Sequence, residues 1–112
     1  MYGMTDKELN LLCSLFACQK EIEQVILYGS RAKDTDKPFS DVDIALLGYD
    51  LTRSHLNRLS AEIDESSLPY LFDISIFAKL TNPDLIEQIE KTGVVLYCRE
   101  KNAFVAEDNN PL

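Results

Sequence analysis

YGSRAKDTDKPFSDVDIALLG, Tyr28 to Gly48, decides the layout of the chain, because it joins two apolar segments through a polar loop. The first segment, EQVILYG, is short, β-branched and aromatic and stops at a glycine, which predicts a strand over roughly Gln24 to Tyr28. The loop AKDTDKPF is rich in charge and turn formers. DVDIALLGY then reads as a largely buried second strand, turned out at Gly48 to Asp50. Residues two apart on a strand share a face, so Asp41 and Asp43 project together while Val42 and Ile44 enter the opposite layer. Carboxylates lose hydration at the mouth of an apolar strand. Turn capping, a solvated strand end or a divalent cation would each compensate them.

Outward from this stretch the pattern alternates helix and strand. Thr5 and Glu8 form a capping-box pattern, and Leu9, Leu12, Cys13, Phe16 and Ala17 recur at helical spacing, predicting a helix from about Thr5 to Cys18. From Thr52 to about Glu65, Leu56, Leu59 and Ile63 mark one face of an amphipathic helix and Arg53, Asn57, Arg58 and Glu62 the other. Pro69 separates it from LFDISIF, where Phe72, Ile74 and Ile76 alternate with Asp73, Ser75 and Phe77 as a third strand. Asn82 and Pro83 open a further helix, Gly93 closes it, and VVLYC is a fourth strand. The order α, β, β, α, β, α, β indicates an α/β layer. Residues 1–99 read as one domain and residues 100–112 as a polar tail, disordered or docking on a partner. The length of the loop between the first two strands permits either pairing direction.

Asp73 is a carboxylate inside a hydrophobic alternation. If the second and third strands are parallel neighbours, their entry ends bring it beside Asp41 and Asp43. Three acids that close raise one another's pKa unless a cation relieves them, and hard carboxylate oxygens suit Mg²⁺ or Mn²⁺ with substrate phosphates completing the shell. Gly29 and Ser30 end the first strand and lead into an expected short helix at Arg31 to Lys33. Close backbone approach, free N–H groups, the serine hydroxyl and two cations together make a phosphate grip. Each feature alone has an ordinary use: a Gly-Ser pair is usually just a turn, and Asp-x-Asp at a strand start is often a solvated edge. The combination is what points to chemistry. His55 reads as a surface or cap residue, and Lys79, Lys91 and Lys101 as solvated surface.

Composition sets the class. The chain has 112 residues, 46% hydrophobic and 27% charged, enough for one core. A net charge of -8 repels phosphate backbones, so direct nucleic-acid binding is not expected. Cys13, Cys18 and Cys98 have neither disulfide-framework nor zinc spacing and read as buried thiols of a reducing cytoplasm. MYGMTDKELN is no secretory signal, and LLCSLFAC is far too short for a bilayer, which needs about 20 apolar residues. A cytoplasmic protein without membrane contact is expected.

GSRAK…SDVDIALL resembles the signature of the DNA polymerase beta-like nucleotidyltransferase superfamily, with Gly29-Ser30-Arg31, the Asp41/Asp43 pair and the later Asp73 at corresponding places. In length the chain looks like the minimal nucleotidyltransferases, or MNT proteins. The family pattern has a glycine where this chain has Asp34. The resemblance implies a nucleotidyltransferase fold, a mixed sheet of about four strands with helices packed on one face. It implies transfer of a nucleotidyl group from a nucleoside triphosphate, AMP from ATP, to an acceptor hydroxyl. Asp41, Asp43 and Asp73 would be the catalytic and metal-binding acids, for Mg²⁺ or Mn²⁺, with Asp73 helping to take the acceptor proton. Gly29 and Ser30 would hold the β- and γ-phosphates and Arg31 would neutralise developing charge. MNT proteins pair with all-helical HEPN partners as antitoxins, so a HEPN-type partner is implied, and a tyrosine of that partner as acceptor. The competing expectation is a non-catalytic antitoxin that neutralises its partner by contact.

Overall fold

The computed structural model describes residues 2–33 and 41–99, so the loop segment 34–40 and the expected tail at 100–112 lie outside the described residues. The elements are α1 (Asp6–Ala17), β1 (Gln24–Tyr28), β2 (Val42–Leu47), α2 (Arg53–Glu65), β3 (Phe72–Ile76), a 3₁₀ turn at Phe77–Lys79, α3 (Pro83–Thr92) and β4 (Val94–Cys98). The helix starts are built from the capping residues that the sequence displays. Thr5 Oγ1 accepts from Glu8 N at 3.1 Å while Glu8 Oε1 accepts from Thr5 N at 2.9 Å. His55 is a cap, its Nδ1 accepting from Thr52 N at 3.0 Å. Asn82 Oδ1 takes Asp84 N at 2.9 Å, with Pro83 in the first turn.

The strand order is β3-β2-β1-β4. β1 is antiparallel to both β2 and β4, and β2 and β3 are parallel, so the sheet is mixed. The parallel pair requires a long crossover, which α2 provides. Val25 and Leu27 of β1 and Val42, Ile44 and Leu46 of β2 point to one side, against Leu12 and Phe16 of α1 and Leu59 and Ile63 of α2. Each such side chain stabilises the fold by about 1.5–3 kcal/mol through burial.

The expectation of helices on a single face holds for α1 and α2. α3 goes to the other side, where Leu85 and Ile89, one turn apart, cover Ile26, Tyr28 and Ala45. Strand alternation makes this necessary: the in-between residues of β1 are apolar too, and a second apolar face needs its own cover. The stretch at Arg31 to Lys33 is a turn rather than a short helix, closed by Lys33 N donating to Ser30 O at 3.2 Å. The three cysteines are free, but Cys18 is exposed because it sits just past the end of α1, while Cys13 and Cys98 are half-buried. No helix among the described residues is long and apolar enough to cross a membrane.

Gly93 shows how tightly α3 is seated. Its φ of -70° suits any residue, but an added Cβ would lie 2.4 Å from Ile89 O and 2.5 Å from Ile26 Cγ2. Gly93→Ala is therefore expected to cost about 1–3 kcal/mol as an overpacking change. Urea titration reads this as a lower midpoint at unchanged slope.

Candidate active site

β2 and β3 start side by side. Their register pairs Val42 with Phe72 and Asp43 with Asp73, and Val42 N donates to Leu71 O at 2.8 Å at the entry end. Adjacent strands lie about 4.8 Å apart, and directly paired residues point the same way, so Asp43 and Asp73 are nearest neighbours on one face. Asp41 precedes Asp43 by two residues and acts on it electrostatically. The register thus brings Asp43 and Asp73 together at one end of the sheet face that α3 covers farther along, with Asp41 near enough to act on Asp43.

Asp43 is the half-buried member, and Asp41 and Asp73 are exposed. Burial, then the charge of Asp73, then that of Asp41, push the Asp43 carboxyl above the usual carboxylate range. A raised folded-state pKa contributes stability that is present below the unfolded value and lost as pH rises through the folded one. The metal-free protein is therefore expected to lose stability from about pH 4 upward on account of Asp43. Asn at this position cannot ionise. Asp43→Asn should melt higher than wild type at pH 7 without divalent cation, by no more than about 5 °C. The difference should vanish below about pH 4, as followed by circular dichroism.

Gly29 belongs to the same locus. Its φ is +81°, which favours glycine, and a Cβ there would lie 2.6 Å from Asp43 Oδ2. Its missing side chain lets the Gly-Ser turn lie directly against the Asp43 carboxylate. Ser30 follows, half-buried, and Lys33 is exposed at the end of the turn. Arg31 is only 2% exposed. Its Nη1 donates to Tyr2 O at 3.0 Å and its guanidinium lies 4.8 Å from the centre of the Tyr70 ring. The turn thus carries one surface cation and one buried one.

Two residues of this face escape sequence reasoning. Tyr28 pairs with Asp43 across β1 and β2, and Ser75 pairs with Ala45 across β2 and β3. Ser75, whose register partner Ala45 lies beside Tyr28 in the second apolar cluster, acts on the Tyr28 phenol as a hydrogen-bond partner. Burial pushes the Tyr28 hydroxyl up, the Ser75 hydrogen bond opposes this, and the charges of Asp73 and Asp43 add to it. The only signal available was the alternation that puts Tyr28 on the face of the acids, and it becomes legible once the register is known.

No group of three His, Cys, Asp or Glu side chains that could together enclose a metal ion is present among the described residues. The donor set fits a different arrangement. Two adjacent carboxylates, one of them raised above its normal pKa by burial and then by the other's charge, suit a hard cation that takes one or two protein oxygens and fills its shell with water and phosphate, as Mg²⁺ does.

A family profile described as polymerase beta, nucleotidyltransferase matches residues 10–102. A Haemophilus influenzae protein named "Probable protein adenylyltransferase MntA" is 36% identical over 75 residues, an alignment covering 66% of this chain and 65% of the relative. The chain thus spans just under two thirds of that curated relative. Among solved structures, a chain of the tri-AMPylated Shewanella oneidensis HEPN toxin in complex with MNT antitoxin superposes with a TM-score of 0.64 at 20% identity, over 91% of this chain and 79% of that one. A chain of a toxin-antitoxin structure with AMP-PNP gives 0.66 at 21% identity, over 91% and 80%. At these identities the superpositions establish a shared fold.

Proposed function

The chain belongs to the polymerase beta nucleotidyltransferase family, and on that premise we propose that it transfers AMP from ATP to a hydroxyl of a HEPN-type helical protein in the cytoplasm. The observation that carries this reading is the register pairing of Asp43 with Asp73 beside a glycine whose open side accommodates the Asp43 carboxylate. The curated relative's adenylyltransferase name and the AMPylated HEPN toxin in the structurally similar complex support the choice of group and acceptor.

In the transfer, the acceptor oxygen forms a bond to the α-phosphorus, the bond from that phosphorus to the bridging oxygen breaks, and pyrophosphate leaves with the electron pair. Asp43 and Asp73, with the charge of Asp41 beside them, would hold Mg²⁺ or Mn²⁺, which when bound neutralises phosphate charge and lowers the pKa of the attacking hydroxyl. Asp73, exposed at the start of β3, takes the acceptor proton. Gly29 N–H and the Ser30 hydroxyl hold the β- and γ-phosphates. Arg31 and Lys33 give the turn its positive charge, Arg31 from a buried position and Lys33 from an exposed one. With a net charge of -8, the rest of the surface does not attract the triphosphate, so the turn is the local exception.

A contact-only antitoxin is the second reading, and the absence of a ready-made three-ligand metal cage among the described residues favours it. One experiment separates them. The protein is incubated with α-labelled ATP, Mg²⁺ and a HEPN-type toxin from its own genome, and toxin activity is followed in parallel. Label on the partner together with loss of toxicity supports transfer. Neutralisation with no label on the partner refutes transfer and leaves contact.

A further inference from the structure

The Gly-Ser turn leaves the sheet after Tyr28, the last β1 residue paired with β2, so the ladder does not hold it in place. A cluster of side chains from three segments does. Arg31, two residues after Gly29, is buried with its guanidinium stacked 4.8 Å from the Tyr70 ring centre and its Nη1 on Tyr2 O at 3.0 Å. Tyr70 Oη lies 2.6 Å from Glu8 Oε1 and 3.2 Å from Gly3 O. A hydroxyl has one proton, and the shorter, charge-assisted bond to Glu8 takes it. Glu8 is itself fixed by the α1 capping box. Tyr70, in turn, sits just before β3, whose first residue pairs with Val42. The chain of contacts therefore runs from the start of α1 through Tyr70 to Arg31 and so to the phosphate-holding turn.

We propose that Tyr70 is a positioning residue of the nucleotide site: its ring, tethered by its hydroxyl to Glu8, fixes Arg31 and with it the Gly29-Ser30 turn opposite the acids. This rests on the transfer reading above. Asp73 does not depend on the tether, because β3 is held by its own ladder to β2 and by Val42 N on Leu71 O. Loss of the tether thus loosens the grip on ATP and leaves the acids in place.

The test is steady-state kinetics of the full chain with its HEPN partner, ATP varied at saturating Mg²⁺. Tyr70→Ala is expected to raise the KM for ATP about tenfold, the lower end of what losing an outer-shell partner costs. Tyr70→Phe, which keeps the ring under Arg31 and loses only the tether, should fall between Ala and wild type. In both variants kcat stays within about twofold. A merely structural role would lower the melting temperature and kcat at unchanged KM, and that result overturns the proposal, as does an unchanged KM in both variants. Calorimetry with AMP-PNP and Mg²⁺ on the wild type separates the failures. Absent binding overturns the transfer reading and this inference together, whereas normal binding with an unshifted variant KM overturns this inference alone.

Discussion

Asp43→Ala is expected to abolish labelling of a HEPN-type partner while raising the melting temperature of the metal-free protein. The two effects have one cause. Asp43 stands between Asp73, its register partner on β3, and Asp41, two residues earlier on its own strand, and it is the half-buried member of the three. In the free protein its charge is opposed by burial and by both neighbours, so removing it relieves the fold. In the proposed transfer the same carboxylate would hold the cation that carries the triphosphate, so its removal should remove a ligand. Loss of one preorganised electrostatic group at a transition state costs on the order of 10³-fold in kcat, and a direct ligand should cost at least that. A labelling time course at saturating ATP and Mg²⁺ measures the fall. Because stability rises as activity disappears, a misfolded variant cannot be mistaken for a catalytically dead one. A variant that retains more than about a tenth of wild-type transfer is incompatible with Asp43 holding the cation at the reacting phosphates.

Gly29→Ala is expected to damage both stability and activity. At a φ of +81° a Cβ is strained by about 1–2 kcal/mol. That Cβ would also fall 2.6 Å from Asp43 Oδ2, well inside contact distance, so either the carboxylate swings away or the turn lifts. Neither is free to move without separating the acid from the phosphate grip. Misplacement of a reacting group by about 1 Å can cost 10²-fold, so transfer should fall about a hundredfold. The melting temperature should drop by about 5–10 °C. Labelling and thermal denaturation check the two effects separately. An alanine variant with normal transfer would mean that the Gly-Ser turn does not work against Asp43.

Much of this was readable in the chain because local rules and tertiary structure agree. β1 ends at Tyr28, just before the glycine that punctuates it; α3 starts where Asn82 and Pro83 announce it and ends before Gly93; and Asp73 stands out as a lone carboxylate in a strand alternation. What was not readable depends on partners far along the chain. The antiparallel pairing of β1 with β2 does not follow from loop length, and without that register the link from Tyr28 across Ala45 to Ser75 is invisible. Arg31 reads as a cation of the phosphate grip, and nothing local tells of its burial, which is decided by Tyr70 and by the backbone at Tyr2. Leu85 and Ile89 mark an apolar stripe on α3 without saying which side of the sheet it covers, and the apolar Ile26 and Ala45 decide that.

In the proposed transfer, carboxylates from β2 and β3 jointly bind the cation that carries the nucleotide. Electron paramagnetic resonance of Mn²⁺ titrated into the full chain with AMP-PNP tests it most directly. Bound Mn²⁺ that is lost in both Asp43→Ala and Asp73→Ala is the predicted result, and Mn²⁺ binding that either substitution leaves unchanged would contradict it.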